Sequence, residues 1–481
     1  MSNKTLNILQ INDVHGYIDL HQEIFWKGKN ATFRKTGGYS RIATLVNQIR
    51  KENPDNVLFC DSGDTLHGTY PVVHTQGEIL IPILNKLGLD AMTVHWEFAY
   101  SPKKLEELAE KLNYPILAAN IYHQDNGQLL FRPYIVKNIN GLKIGMIGLA
   151  SNIVDKTMPA SFGEGLTFSN GREELPRLVE YLRSHEDVDL IVLLSHLGFP
   201  QDVKLLSEVQ GIDICLSGHT HNRLYQPVLQ GGTIIVQSGA HGSFLTHLKL
   251  EVENRKIINF HHRLHEITQE IQSDLMMEEM VNNALKPYEK DLAKVVGQTE
   301  SVLHRGTSLE STMDNFLLQS LIEATGAQLA FSNGWRYGAT ILPGPLTLND
   351  LYNIIPMNPP VSIVYLTGKE ILDMLEENLE HTYASDPFQQ MGGYVKRAFG
   401  LTAYIRIENP KGNRIQRLFI GQDEVVLEQI YKATFVTEQG VPLKYGTNRQ
   451  NIAIKSIDAM RMFLAHHRPL KIEFQGTFIP V

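Results

Sequence analysis

Seven side chains of types that bind transition-metal ions fall at the ends of apolar runs in the first half of the chain. They are Asp13 and His15 in NDVHG, Asp64 in DSGDTLHG, His95 in VHWEF, His196 in LSHLG, and His219 with His221 in SGHTH. Carboxylate and imidazole donors in this number suit a pair of divalent first-row cations held a few ångströms apart. Alternation along an extended segment sends both donors of D-x-H, and both of H-x-H, to one side of the chain. One carboxylate must be shared between the ions, and Asp64, which stands between the flanking motifs, is the natural bridge. Two such cations form hydroxide from water near neutral pH and neutralise the charge that builds on the oxygens of an ester being cleaved. No Ser or Cys nucleophile arrangement is visible, and none is needed. Any one of these histidines is more often a surface or hydrogen-bonding residue, and D-x-H or H-x-H alone carries little. The ordered set, each member following an apolar run, is what points to a dinuclear hydrolytic centre.

Three further acids stand close by in sequence. Asp61 sits at a strand end, where it either orients a ligating histidine or is a solvated or helix-capping acid. Glu97 either ties down the His95 loop or is a solvated or helix-capping acid, and Asp187, in a charged turn, reads as surface.

Up to about residue 250 the elements that must carry these side chains alternate between apolar strands and amphipathic helices. LNILQIND reads as a first strand, and GGYSRIATLVNQIRKEN as a helix with Ile42, Leu45, Val46 and Ile49 on one face. NVLFCDSGD, DAMTVHWEF, LKIGMIGLA, VDLIVLLSHLG, IDICLSGHTH and GTIIVQSGAHG are strand-like runs ending in small or polar residues, and LTHLKLEV is a last strand. In an open α/β domain, ligands converge beyond the strand C-termini, which is where the metal-binding types lie. The Gly-rich fingerprint of a dinucleotide fold is absent after the first strand. The pattern therefore predicts an α/β sandwich.

At 481 residues the chain exceeds what one core usually serves, so two domains are expected. Residues 260–292 are charged and helical in pattern and read as a linking segment. A formal net charge of -8 argues against a large nucleic acid as partner, while leaving room for a small anionic substrate. The two cysteines, Cys60 and Cys215, sit in apolar runs and suit a reducing compartment. No stretch approaches the roughly 18 apolar residues of a membrane span, and the chain enters its first strand without a leader-like segment. The expected address is the cytoplasm, without membrane association.

The motifs NDVHG, SGDTLHG, VHWEF, LSHLG and SGHTH, in this order, resemble the calcineurin-like metallophosphoesterases. More narrowly they resemble the bacterial 5'-nucleotidase family, which includes 2',3'-cyclic-nucleotide phosphodiesterases, UDP-sugar hydrolases and thiosulfohydrolases. The resemblance covers almost the whole chain. It implies a four-layer α/β/β/α sandwich over residues 1–259, a linker helix over 260–292, and a smaller α+β substrate-specificity domain over 293–481. It also implies that Asp13, His15, Asp64 and His221 hold one ion, and Asp64, His95, His196 and His219 the other. Manganese is the expected metal, with zinc or iron as alternatives. The implied activity is hydrolysis of phosphate esters of the 5'-nucleotidase or 2',3'-cyclic-nucleotide phosphodiesterase type, with a nucleotide as substrate.

VHWEFAY departs from this pattern. Family nucleotidases read G-N-H-E-F-D there; the asparagine binds the second ion, and the next histidine, steadied by the aspartate, stabilises the transition state. Here those three positions hold His95, Trp96 and Ala99. Trp96 cannot supply a charged donor, a loss of about 10²–10³-fold unless something replaces it; His67 or His241 are the candidates. H-W-E-F resembles the thiosulfohydrolase branch, so hydrolysis of a sulfur ester is the alternative activity, and a non-catalytic metal-containing binding protein is the second alternative. Asp64, His95 and Trp96 are the positions expected to govern catalysis.

In the second domain, FSNGWRYG resembles the family stretch that presents an arginine to the substrate's anionic group. Arg336 is the implied clamp, since its planar fork matches oxyanion geometry. Asn333 and Asn358, the latter in IIPMNPP, are implied hydrogen-bonding partners, and Tyr394 in MGGYVKR a stacking platform. The family's G-G-D-G-F run is absent, and neither Phe435 nor Tyr445 is assigned its role.

Overall fold

The computed structural model describes residues 4–481. The chain divides into two units: one takes the chain up to Glu23 and Arg34–Pro287, the other Ile24–Phe33 and Tyr288–Val481.

In the first unit, the strand Lys4–Ile11 pairs in parallel with Val57–Asp61 and antiparallel with Phe244–Glu253. Ala91–Met92 and Lys256–Glu266 complete this five-stranded sheet at its two edges. A six-stranded sheet has parallel pairings among Leu142–Leu149, Leu190–Ser195, Ile214–Ser217 and Thr233–Val236 at its centre. Side chains alternate across each strand, so one face of the first sheet (Leu6, Ile8, Leu58, Cys60) meets Ile144, Met146, Val192, Leu194 and Leu216 of the second. The other face (Leu9, Ile11, Phe59) packs beneath the helices Tyr39–Glu52, Ile81–Leu87 and Pro102–Lys111 through Ile42, Val46, Leu84 and Leu105. On the far side, Leu182 of the helix Glu174–Ser184 lies against the second sheet at Gly145. Layers therefore run α/β/β/α, and strands covered on both faces account for the continuous apolar runs. Both cysteines are free and buried in strands.

Residues 260–266, expected to be helical, instead continue a strand. Asn254 and Arg255, with φ of 51° and 61°, turn the chain back so that Lys256–Glu266 forms a hairpin with Phe244–Glu253. The helix spans only Leu275–Leu292. A run rich in His and Arg carries too little apolar periodicity to separate an edge strand from a helix, so the partner strand decides.

The second unit holds a five-stranded sheet in the order Arg397–Phe399, Leu329–Ser332, Ile430–Phe435, Pro360–Thr367, Thr447–Lys455. Helices Thr312–Thr325, Gly368–Tyr383 and Ser456–His466 accompany it. Among the described residues no helix is long and apolar enough to cross a membrane.

Candidate metal centre

Strand ends deliver the seven donors to one buried place. Asp13 and His15 follow Lys4–Ile11, Asp64 follows Val57–Asp61, His95 follows Ala91–Met92, His196 follows Leu190–Ser195, and His219 and His221 follow Ile214–Ser217. Asp64, His95, His196 and His219 form one group whose donor atoms lie within 4.8 Å of one another, and Asp13, His15 and His221 form a second. Asp64 Oδ2 is 3.1 Å from His95 Nδ1, 3.1 Å from His196 Nε2 and 3.7 Å from His15 Nε2, so this one oxygen touches both groups. In the second group His15 Nε2 is 3.1 Å from His221 Nε2, which is 3.3 Å from Asp13 Oδ1.

Five of the seven donors pay for this convergence in backbone strain: Asp13, His15, Asp64, His219 and His221 have φ between 49° and 71°. Non-glycine residues seldom adopt this left-handed region, and such strain persists where the surrounding structure over-determines it. The Asp64 turn also needs glycines. A Cβ at Gly68, where φ is 138°, would lie 2.3 Å from the carbonyl oxygen of His15.

A frame of hydrogen bonds fixes the donors. Asp64 Oδ1 accepts from the Trp96 backbone N–H at 2.7 Å. Both Asp13 oxygens accept from His219 N–H, at 3.1 and 2.9 Å, and Asn12 Nδ2 donates to Asp13 Oδ2 at 2.6 Å. His196 Nδ1 donates to the Ser62 carbonyl, which leaves Nε2 to face Asp64. Glu97 does tie down the His95 loop: it accepts from His95 N–H at 2.8 Å and from Thr65 and Leu66 N–H at 2.6 and 3.1 Å. Asp61 caps the turn instead of orienting a histidine, accepting from Thr65 Oγ1 and Gly63 N–H. Asp187 lies at the surface, paired with Arg255.

Charges at the centre lean on one another. Burial alone would raise the Asp64 carboxyl, but His95, His196 and His15 outweigh it and hold it well below the usual range. Burial likewise opposes a charged His196, yet Asp64 and Asp13 lift it to about 10. Carboxylates this deep, with imidazole nitrogens about 3 Å apart, are what a cation would satisfy. Bonds of roughly 2.1 Å to an ion place neighbouring donors at about this spacing. The residues fit two divalent ions.

Trp96 packs between the centre and the core, stacked on His67 with centroids 4.9 Å apart and edge-on to Phe162. His67 does not answer as a charged replacement: burial, against the pull of Asp64, holds it at about 4, so it is neutral near pH 7. Three residues that sequence reasoning passed over complete the frame. Buried Asp202 accepts from Ser195 and Ser217 hydroxyls, and burial raises it to about 6. Gln237 donates to Ser217 Oγ and the Gly218 carbonyl, which steadies the SGHTH turn. Glu23 Oε2 lies 3.0 Å from His241 Nδ1. Asp202 in FPQDV and Gln237 in VQSG carry no local signal, because their partners come from other strands.

In the second unit the four implied substrate residues occupy two loops and a helix cap. Asn333 and Arg336 are partly exposed in the loop after Leu329–Ser332. Tyr394 N–H donates to the Gly334 carbonyl at 2.7 Å, and Arg336 Nη2 donates to the Gly393 carbonyl at 2.8 Å, cross-tying the loops. The guanidinium groups of Arg336 and Arg397 lie over the Tyr394 ring, 5.2 and 5.3 Å from its centroid. Asn358 uses its Oδ1 to accept from Ile457 N–H, capping the helix Ser456–His466. Phe435 is buried in the core, and Tyr445 hydrogen-bonds Glu377.

Two family models match the chain: the calcineurin-like phosphoesterase over residues 6–223 and the 5'-nucleotidase C-terminal domain over residues 294–437. The trifunctional nucleotide phosphoesterase YfkN of Bacillus subtilis is 24% identical over 85% of this chain, which spans only 30% of that longer protein. The 5'-nucleotidase of Vibrio parahaemolyticus is 24% identical, over 97% of this chain and 90% of that one. Among solved structures, the sulfate thiohydrolase SoxB of Thermus thermophilus superposes with a TM-score of 0.92 at 24% identity, covering 99% of this chain and 96% of that one. With the two models in sequence and the seven donors converging at the strand ends, the chain belongs to the calcineurin-like metallophosphoesterases that carry a 5'-nucleotidase C-terminal domain.

Proposed function

We propose that this chain is a two-metal hydrolase of phosphate esters, of the 5'-nucleotidase or 2',3'-cyclic-nucleotide phosphodiesterase type, with manganese as its metal. The observation that carries the reading is Asp64 Oδ2, one oxygen within reach of imidazoles from both donor groups. Asp13, His15, Asp64 and His221 hold one ion, and Asp64, His95, His196 and His219 the other. When bound, such a pair lowers the pKa of water toward neutrality and offsets charge on the ester oxygens. The chain's own residues hold this centre rigid: Glu97 and the Trp96 N–H fix the bridging carboxylate and the His95 loop from one side, and Asn12 and Gln237 fix the other. By the family resemblance Arg336 clamps the substrate's anionic group, and Tyr394, with the guanidinium groups of Arg336 and Arg397 over its ring, steadies that arginine.

Hydrolysis of a sulfur ester is the second reading, favoured by Trp96, which fills its place with a stacked indole and offers the substrate no charged donor. One experiment separates the two. Phosphate release is measured with manganese from nucleoside 5'-monophosphates, 2',3'-cyclic nucleotides and bis(p-nitrophenyl) phosphate, for the natural chain and for His95→Asn/Trp96→His/Ala99→Asp. Robust nucleotide turnover by the natural chain supports the first reading. A nearly inert natural chain and an active triple variant would replace it with the second.

A further inference from the structure

Beside the wall formed by His15 and His221 lies another cluster, built from none of the seven donors. His21, Glu23 and His241 each bring one donor atom within 4.8 Å of the others. Glu23 and His241 are only 5% and 7% exposed. His21 Nδ1 lies 3.1 Å from the Asp19 carbonyl oxygen, which can only accept. The proton therefore sits on Nδ1, and Nε2 presents a lone pair inward. That Nε2 is 3.0 Å from Ser243 Oγ; Ser243 Oγ is 3.2 Å from Glu23 Oε2; and Oε2 is 3.0 Å from His241 Nδ1. Arg223 Nη2 holds the other carboxylate oxygen, Oε1, at 2.8 Å. A partner of this kind keeps a ligating carboxylate ionised and oriented. Hydrogen bonds alone leave this cluster incomplete, because Ser243 Oγ has one proton for two acceptors, His21 Nε2 and Glu23 Oε2.

We propose that His21, Glu23 and His241, with Ser243 Oγ, form a third divalent-cation site beside the dinuclear centre. Two imidazoles and one carboxylate suit zinc, with manganese as a weaker occupant. Donors spaced at 3.0–3.2 Å have the edge length of a shell with bonds of about 2.1 Å. The His241 ring centroid is 6.3 Å from that of His15 and 6.0 Å from that of His221, so the third ion adjoins the first. If the phosphate-ester reading holds, on which this consequence alone rests, the ion supplies near the substrate a positive charge that Trp96 does not.

Metal content tests the site without any assay of activity. The full chain is stripped with a chelator, reloaded with zinc or with manganese alone, dialysed, and its ions are counted by mass spectrometry. Three zinc ions per chain are expected, falling to two in Glu23→Gln. The Asp64→Asn variant loses ions of the dinuclear pair and keeps the third. Anomalous scattering from wild-type crystals at the zinc edge gives a second readout that needs no variant: a peak bonded to Glu23 Oε2. Two ions in the wild type with no such peak overturns the proposal and leaves a network of hydrogen bonds only. A count that falls in Glu23→Gln but not in Asp64→Asn would instead sink the dinuclear reading while the third site stands.

Discussion

Replacing Asp314 with Asn removes the one acid from a fully buried triad in the second unit. Its Oδ1 accepts from Arg305 at 3.1 and 2.8 Å, its Oδ2 from Arg397 at 3.0 Å, and all three side chains are out of solvent. Burial would raise its pKa, but the two guanidinium groups hold it below the usual carboxylate range. The remaining donors of the pair bind the carbonyls of Tyr337, Ile354, Thr307 and Ser308, so two cations depend on a single anion and four backbone dipoles. Asn keeps the shape and removes the charge. Breaking a buried ion pair from one side costs about 3–5 kcal/mol. In a unit of this size each kcal/mol moves Tm by about 2–4 °C, so Asp314→Asn should lower the melting temperature of the second unit by about 6–20 °C. Calorimetry of the metal-loaded protein measures it, with the first unit's transition as the internal reference. A shift under about 3 °C, or one confined to the first unit, would refute the argument that an uncompensated charge is what the triad avoids. Because Arg305 also holds the Tyr337 carbonyl, the loop bearing Arg336 should loosen in the same variant, seen as faster amide exchange over residues 333–337.

Stripping the ions with a chelator should lower the first unit's Tm and spare the second, since ions at about 1,000 times their Kd contribute about 4 kcal/mol; a scan with and without chelator decides it. Arg336→Ala should raise KM for an anionic substrate about 10–100-fold, the worth of a charged hydrogen bond, with Arg336→Lys recovering only part; unchanged KM in steady-state kinetics would remove Arg336 from the substrate contacts. Stability should also respond to acid through His247 and His265, stacked 6.0 Å apart on the hairpin. Burial lowers both to about 4, helped by Lys249, His261 and Arg263 at His247 and by Arg263, His247 and His262 at His265. The unfolded chain then binds more protons between pH 4 and the ordinary histidine value near 6.5. Stability therefore rises with pH across that window and is lost as pH falls, and urea midpoints of His265→Gln should show a flatter slope.

The sequence by itself determined the seven candidate donors and an α/β sandwich, while their division between two groups came from the family resemblance. Each donor follows an apolar run whose period reports a buried strand, and a strand's end is where a fold of this class collects its ligands. That information is local, so it survives in a one-dimensional reading of NDVHG or SGHTH. Other features were decided only by packing. The charged run at 260–266 became a strand because Phe244–Glu253 offered it an edge, which no periodicity within the run could reveal. Asp61 and Glu97 stood equally open in sequence and separated by what came near: a turn of their own chain for one, three backbone N–H groups of two loops for the other. Asn358 was implied by resemblance as a substrate partner, yet a helix end a hundred residues on took its oxygen. Glu23 and His241 stand 218 residues apart and meet only in the folded chain, one within the strand His21–Lys27 and the other just before Phe244–Glu253. Donor types and spacing are properties of the chain; which polar group satisfies which is a property of three-dimensional neighbourhood, because a buried hydrogen-bonding group takes the partner that packing delivers.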